Sequence, residues 1–361
     1  MNDLHDNWSA LLTRFGKSEE LDDSARNAGA LTRRREIRDA GTLLRLGLAY
    51  GPGGMSLREA VAWAQLHGIA ELSDVALMKR LRNAADWFGI LAAQTLAARA
   101  SVAGYTGGRR LRLVDGTAIS APGGGSAEWR LHMGYDPHTC QFTDFELTSS
   151  REAERLDRFV QTADEIRIAD RGFGSRPECI RSLAFGEADY IVRVHRRGLR
   201  WLTPEGKRFD MMGFLRALGY SENGETTVMI GNGGNKKTWF PFPARLIAVP
   251  LPPEKAQSSR ARVLSDNRRK GRVAQAETLE AAGHVLLLTS LPGHEYSAKQ
   301  VADCYRLRWQ IELAFKRLKS LLQMDALRAK DTELAKAWIF ANLLAAFLID
   351  DEIQPPRAFP P

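Results

Sequence analysis

Apolar residues recur at three- and four-residue spacing through roughly the first hundred positions, the periodicity of amphipathic helices. The runs Ala25–Tyr50, Leu57–His67 and Asp74–Leu91 carry it, and Gly51-Pro52-Gly53-Gly54 separates the first from the second. Ser56 and Ser73 stand just ahead of helical runs, where a hydroxyl can accept from the free N–H groups of a first turn. The stretch from Ser56 to Phe88 therefore reads as a helical pair, either a scaffolding hairpin or a helix-turn-helix-like unit that meets DNA.

Past Gly104 the period shortens to two. Strands are predicted over Arg110–Ile119, Phe142–Thr148, Glu165–Ala169 and Tyr190–Val194, and helices over Glu152–Ala163 and Arg176–Phe185. Such a mixture indicates an α/β unit. Short β-like runs (DYIVRV, TTVMI, RLIAVP) among Gly-, Pro- and Arg-rich connectors read as a β-rich insertion. A strand over His284–Pro292 and a long amphipathic helix from Ser297 to about Asp325 return to the α/β unit. The apolar run Ala337–Ile349, bounded by Lys336 and Asp350, is too short to cross a bilayer and reads as a buried helix. The expected organisation is an N-terminal helical domain at 1–103, an α/β core at 104–186 and 284–330, the insertion at 187–283, and a C-terminal helix and tail at 331–361.

Composition narrows the partners. In 361 residues with 44% hydrophobic content, 51 Lys and Arg face 43 Asp and Glu, and the net charge of +8 favours an anionic partner, nucleic acid or membrane surface. Ser258–Arg272, SSRARVLSDNRRKGR, concentrates that charge and reads as a solvated loop or a phosphate-contacting arm. Cys140, Cys179 and Cys304 are far apart and form no CxxC pair, so neither a disulfide framework nor a zinc site is indicated, and a reducing cytoplasm fits. The opening MNDLHDNWSALL lacks the apolar stretch of a signal peptide.

The helix after Ser297 carries the most chemistry. Tyr305, Arg308, Glu312, Lys316 and Lys319 fall at offsets 0, 3, 7, 11 and 14, which at about 100° per residue spans roughly 80° of arc. Leu307, Ile311, Ala314, Leu318, Leu321 and Leu322 make the opposite, buried stripe. The polar face is either a solvated surface with a Glu312–Lys316 pair or a phosphate grip around one metal-binding acid. Two further acids end predicted core strands: Asp115 follows LRLV and precedes Gly116-Thr117, and Asp170 follows IRIA and precedes Arg171-Gly172-Phe173-Gly174. Each alone is a turn-forming Asp or a ligand; with Glu312 they make a three-carboxylate set.

The motifs DGT at Asp115, DRGF at Asp170 and Tyr305-x2-Arg308-x3-Glu312-x6-Lys319 together resemble the three catalytic motifs of IS4-family DDE transposases, the last matching their YREK signature. The resemblance covers roughly residues 30 to 350. It implies an RNase H-like catalytic core interrupted by a β-rich insertion, and a cut-and-paste DNA transposase that cleaves element ends and joins them to target DNA. It also implies double-stranded DNA as partner, a homodimer in the synaptic complex, and action in the cytoplasm at the bacterial nucleoid with no membrane involved. A Mg²⁺-dependent nuclease of the same fold and a decayed, non-catalytic DNA-binding derivative are the alternatives. About forty residues follow the signature helix, fewer than such transposases often carry, so both a full-length and a truncated chain stay open.

Phosphodiester displacement builds charge on attacking and leaving oxygens, and two Mg²⁺ or Mn²⁺ ions about 3.5–4 Å apart can stabilise both. Asp115, Asp170 and Glu312 are the expected catalytic residues and metal ligands, hard oxygens suited to such ions. Tyr305, Arg308, Lys316 and Lys319 are expected to contact DNA phosphates, Arg308 by a two-pronged bond. Thr117 and Arg171 flank the ligands and are candidates to orient them. YREK relatives form a DNA hairpin with a base flipped onto a Trp before the signature helix; His284 occupies that position here, with Trp239 as the alternative platform. Trp129, Trp201 and Trp309 are either core or stacking residues.

Overall fold

A computed structural model describes residues 3–33, 35–102, 108–123, 127–219, 222–232, 240–324 and 327–352. The helical periodicity at the start becomes α1 (Asp3–Thr13), α2 (Ser18–Asn27), α3 (Ala40–Tyr50), α4 (Leu57–Leu66), α5 (Asp74–Asn83) and α6 (Ala85–Val102). The hydroxyls of Ser56 and Ser73 cap α4 and α5, accepting from the N–H groups of Glu59 and Ala76. The run Ala25–Tyr50 is not one helix. Gly29 at φ 74° turns the chain after α2, and the Asp39 carboxylate restarts it by accepting from Thr42 N.

There follow β1 (Arg110–Ser120), β2 (Ala127–Asp136), β3 (Gln141–Ser149), β4 (Glu165–Ala169), α7 (Pro177–Ala184) and β5 (Asp189–Val194). Next come β6 (Arg200–Leu202), α8 (Met211–Leu218), β7 (Gly224–Gly231), β8 (Phe242–Pro250), α9 (Pro253–Arg269), α10 (Ala276–Ala281) and β9 (His284–Thr289). Helices α11 (Ala298–Arg306), α12 (Trp309–Leu322) and α13 (Thr332–Glu352) complete the order. The nine strands make one sheet, β3-β2-β1-β4-β5-β9-β8-β7-β6. The β1–β4 and β4–β5 pairs are parallel and the others antiparallel, which gives the mixed α/β core expected. Of the strands in 187–283, β5 lies inside the sheet between β4 and β9, and β8, β7 and β6 extend it from β9 outward, with α8 between β6 and β7 and α9 and α10 after β8.

Alternation along the strands fills two cores. Leu113, Ile168, Ile191 and Leu287 join the N-terminal helices, α12 and α13 on one face, whereas Val114, Ala169, Val192 and Leu288 pack with α7 and α8 on the other. Helix α13 is longer than the apolar run suggested. Its 21 residues are long and apolar enough to span a bilayer, but 67% of the apolar window is buried inside the fold, against α3, α5 and α6.

Three expected elements take other forms. Glu152–Ala163 is a chain of turns rather than a helix, because buried arginines claim its carbonyls. Arg167 Nη1 donates to Leu156 O (2.7 Å) and Phe159 O (3.2 Å), and its Nη2 to Val160 O (3.0 Å). Ser258–Arg272 lies mostly in α9 rather than in a loop, since its Arg, Ala, Leu and Ser residues carry no helix breaker before Gly271. The single helix expected from Ser297 to Asp325 is divided into α11 and α12. At the junction Leu307 N, Arg308 N and Gln310 N bond three residues back, a tighter 3₁₀-type winding that rotates α12 against α11.

Candidate active site

Parallel pairing of β1 with β4 ends at Val114 opposite Ala169, so the next residue on each strand is an aspartate. This register, rather than a strand end, brings Asp115 and Asp170 together. Strand β1 itself continues to Ser120 against β2, with Asp115 opposite Met133 and Thr117 opposite Leu131, which corrects the expectation that Asp115 ends its strand. Each carboxylate is oriented by a nearby glycine amide: Gly116 N donates to Asp115 Oδ1 (2.8 Å) and Gly172 N to Asp170 Oδ1 (2.7 Å). Arg171 is exposed in the turn between them in sequence.

Alternation turns Asp115 to the same face as Leu113, the face against which α12 packs. There Arg308, at the start of α12, lies with Nη1 3.7 Å from Asp115 Oδ2 and pairs through Nη2 with Glu312 Oε1. One guanidinium thus links the first and third acids of the expected set. Burial chiefly, with the charges of Asp170 and Glu154, pushes the Asp115 carboxyl up to about 7 against the pull of Gly116 N–H and Arg308. Tyr305, half-buried on α11, stands beside Arg308; burial raises its phenol above the usual range while Arg308 and Arg193 oppose the shift. Glu312, Phe315, Lys316, Lys319 and Ser320 line a shallow groove along α12, so the division of the helix leaves the acid and both lysines on one surface.

A fourth acid, Glu154, reaches this centre from the turns before β4. A β-carbon placed on Gly172 would stand 2.5 Å from Glu154 Oε2 and 3.0 Å from Asp170 Oδ1, so the two carboxylates face the same small space. Arg130 Nη1 lies 3.4 Å from Glu154 Oε1. Burial and Asp170 raise the Glu154 carboxyl, with Arg130 opposing. Nothing local marks Glu154 in the sequence, because its approach depends on the arginine-held turns around it.

As they stand, no three His, Cys, Asp or Glu side chains among the described residues are gathered closely enough to hold one ion. Glu312 is turned to Arg308. The donor set nevertheless fits a hard divalent cation, being all oxygen, with Asp115 and Asp170 side by side on adjacent chain segments and Glu312 on the helix above them.

The stacking candidates fare differently. His284 opens β9 but is buried, with Nε2 3.0 Å from Gly219 O, so it presents no face to a base, and the expectation is corrected. Trp239 lies outside the described residues. Trp201 is buried and Trp129 half-buried, whereas Trp309 is 54% exposed at the start of α12, one turn before Glu312.

Comparison with known proteins places these features. Residues 106–348 match the family described as Transposase DDE domain. The chain is 85% identical over its whole length to a protein assigned as the transposase of insertion sequence element IS186A of Escherichia coli strain K12, covering 98% of it. It is 84% identical to the transposase of insertion sequence element IS421 of Escherichia coli, covering 100% of this chain and 98% of that one. A cryo-EM synaptic complex of piggyBac transposase with hairpin DNA gives a TM-score of 0.46 at 10% identity, over 95% of this chain and 74% of that one.

Proposed function

The chain belongs to the DDE transposases, in the IS4 family of insertion sequences, and on that premise we propose that Asp115, Asp170 and Glu312 are the acids with which it cleaves element ends and joins them to target DNA. The observation that carries the reading is the register of β1 with β4, which sets Asp115 beside Asp170 under the helix that bears Glu312. The three would hold two divalent ions, Mg²⁺ or Mn²⁺, whose chemistry when bound is to stabilise charge on the attacking and leaving oxygens of the displacement. The amides of Gly116 and Gly172 fix the aspartates in orientation. Lys316 and Lys319 place charge along the groove beside Glu312, where a DNA backbone can lie, and Tyr305 supports Arg308 in positioning the scissile phosphate. Thr117 and Arg171 flank the aspartates and orient them or the DNA.

The finer reading has the protein working as a homodimer on paired element ends, in the cytoplasm at the nucleoid, and cutting the second strand through a hairpin. The helical pair α4–α5 is a candidate to read end sequence. For the flipped base of the hairpin Trp309 is the better platform, being exposed beside Glu312 where His284 is buried.

The test is Mg²⁺-dependent nicking of element-end DNA by Asp115→Asn, Asp170→Asn and Glu312→Gln. Each isosteric change is expected to remove at least about three orders of magnitude of rate while leaving end binding in place. Near-wild-type nicking by any one of them means that acid is misassigned.

A further inference from the structure

We infer that Glu154 is a fourth carboxylate of the metal centre, meeting the divalent ions beside Asp170 from the side away from α12. The inference rests on the reading that Asp115 and Asp170 hold those ions. Glu154 is not a wandering surface acid. Arg158 Nη2 donates to Ala153 O (2.7 Å) and Arg167 ties down Leu156, Phe159 and Val160, so the backbone on both sides of Glu154 is anchored to the core.

The space it enters is made by two glycines that follow the two aspartates. At Gly172 the missing β-carbon leaves room in which Glu154 Oε2 and Asp170 Oδ1 converge, 2.5 and 3.0 Å from one point. At Gly116 a β-carbon would meet Glu154 Oε1 at 3.4 Å and His132 Nδ1 at 3.5 Å. His132 is buried, its Nε2 3.0 Å from Thr148 Oγ1, and its Nδ1 has no hydrogen-bond partner among the described residues. A buried imidazole nitrogen aimed into a gap that also receives a carboxylate is a polar lining, and such a lining suits an ion with its bound waters. Two carboxylates reaching one point repel unless a proton or a cation lies between them, and Arg130 meets Glu154 at Oε1, 3.4 Å away, rather than at the Oε2 that converges with Asp170. A side chain at 172 would push Glu154 out of this position, whereas a β-carbon at 116 would only touch it.

The experiment uses the full chain and Mn²⁺ alone, with binding followed by the electron paramagnetic resonance of free Mn²⁺, so no cleavage is needed. Glu154→Gln is expected to weaken Mn²⁺ binding by about tenfold or more, in the range seen when a carboxylate around a metal is lost. Arg130→Gln is expected to leave it unchanged or tighten it, because Arg130 competes for the same carboxylate. Circular dichroism and the metal-free melting midpoint report folding. Should the amide variant misfold, Glu154→Asp keeps the charge but withdraws it by one methylene, and it too is expected to weaken binding.

Mn²⁺ affinity of the Glu154 variants within about twofold of the parent, with Asp115→Asn losing it, overturns the inference and leaves the catalytic reading standing. Equal weakening in Glu154→Gln and Arg130→Gln also overturns it, since Glu154 would then act only through its ion pair. Unchanged affinity in Asp115→Asn as well overturns both.

Discussion

Arg167 is the residue through which the core holds the turns that carry Glu154, and replacing it with Met would show how much that support is worth. Its side chain is fully buried in β4 and its Nε donates to Glu165 Oε1 at 2.7 Å, Glu165 being buried as well. The same guanidinium holds the carbonyls of Leu156, Phe159 and Val160. Met fills most of the volume but donates nothing. Glu165 would keep Arg112 Nη1 at 3.2 Å and Thr162 Oγ1 at 3.2 Å, which is partial compensation. Removing one partner of a buried pair costs about 3–5 kcal/mol. Val160 O would keep Arg112 Nη1 at 3.1 Å, whereas the two orphaned carbonyls of Leu156 and Phe159 would each add about 1–3 kcal/mol if they stayed buried. They need not stay, because Val160 is already 83% exposed and the turns can peel into water. The expected outcome is therefore a loss near the 3–5 kcal/mol of the pair alone, together with detachment of residues 152–163.

Urea unfolding gives the first quantity, and amide hydrogen exchange gives the second as a selective loss of protection in those turns while β9 keeps its own. The double variant Arg167→Met, Glu165→Met should recover most of the stability, since an apolar pair of similar volume replaces a charged one. A loss under about 1 kcal/mol in the single variant, or a double variant no better than the single, would refute the assignment of Arg167 as the anchor.

Other outcomes follow from the same geometry. Lys316→Ala and Lys319→Ala should each make the fall of DNA affinity with salt shallower by about one unit or less in log–log slope, with end-sequence preference intact; a lost preference at constant slope would mean base reading instead. His132 is buried neutral, and desolvation, then Arg158 and Arg130, lower its imidazole to about 4, below the usual 6.5. Its contribution is fully present above pH 6.5 and is lost as pH falls from there toward 4, approaching about 3 kcal/mol. His132→Gln should flatten that limb of the stability profile, and an unchanged acid limb would show that other groups set it.

Legibility in the sequence tracked locality. Caps at Ser56 and Ser73 are written in adjacent residues and the structure forms both. Hydrophobic alternation into Asp115 and Asp170 located both acids, because an apolar strand must pass through the core wherever it ends. What alternation could not give was register, and register is what makes them neighbours. The turns at 152–163 misled because a helical pattern there loses to arginines supplied by β4 and by the turns themselves, a contest visible only in three dimensions. The division at Leu307 has no proline or glycine to announce it. Glu154 was invisible for the same reason as the turns that carry it.

Charge balance explains why Arg308 stands where it does. Without ions, Asp115, Asp170, Glu154 and Glu312 crowd one region, and Arg308 neutralises two of them by bridging Asp115 and Glu312. A guanidinium so engaged is not free to grip a phosphate with both prongs. Divalent ions on the aspartates and Glu312 would take over the neutralisation and free Arg308, which would couple metal and DNA binding through one side chain. The expected signature is conditional. Arg308→Gln should lower affinity for end DNA in Ca²⁺, an oxygen-seeking ion of the same charge, by about five- to tenfold, and by less than about twofold in EDTA, because only the ion-loaded centre frees the arginine. Lys316→Ala, with no carboxylate pairing among the described residues to be released from, should cost about the same in both conditions. An Arg308→Gln penalty equal in Ca²⁺ and in EDTA would show that Arg308 already grips phosphate in the metal-free protein, and the bridge between Asp115 and Glu312 would then have no part in coupling.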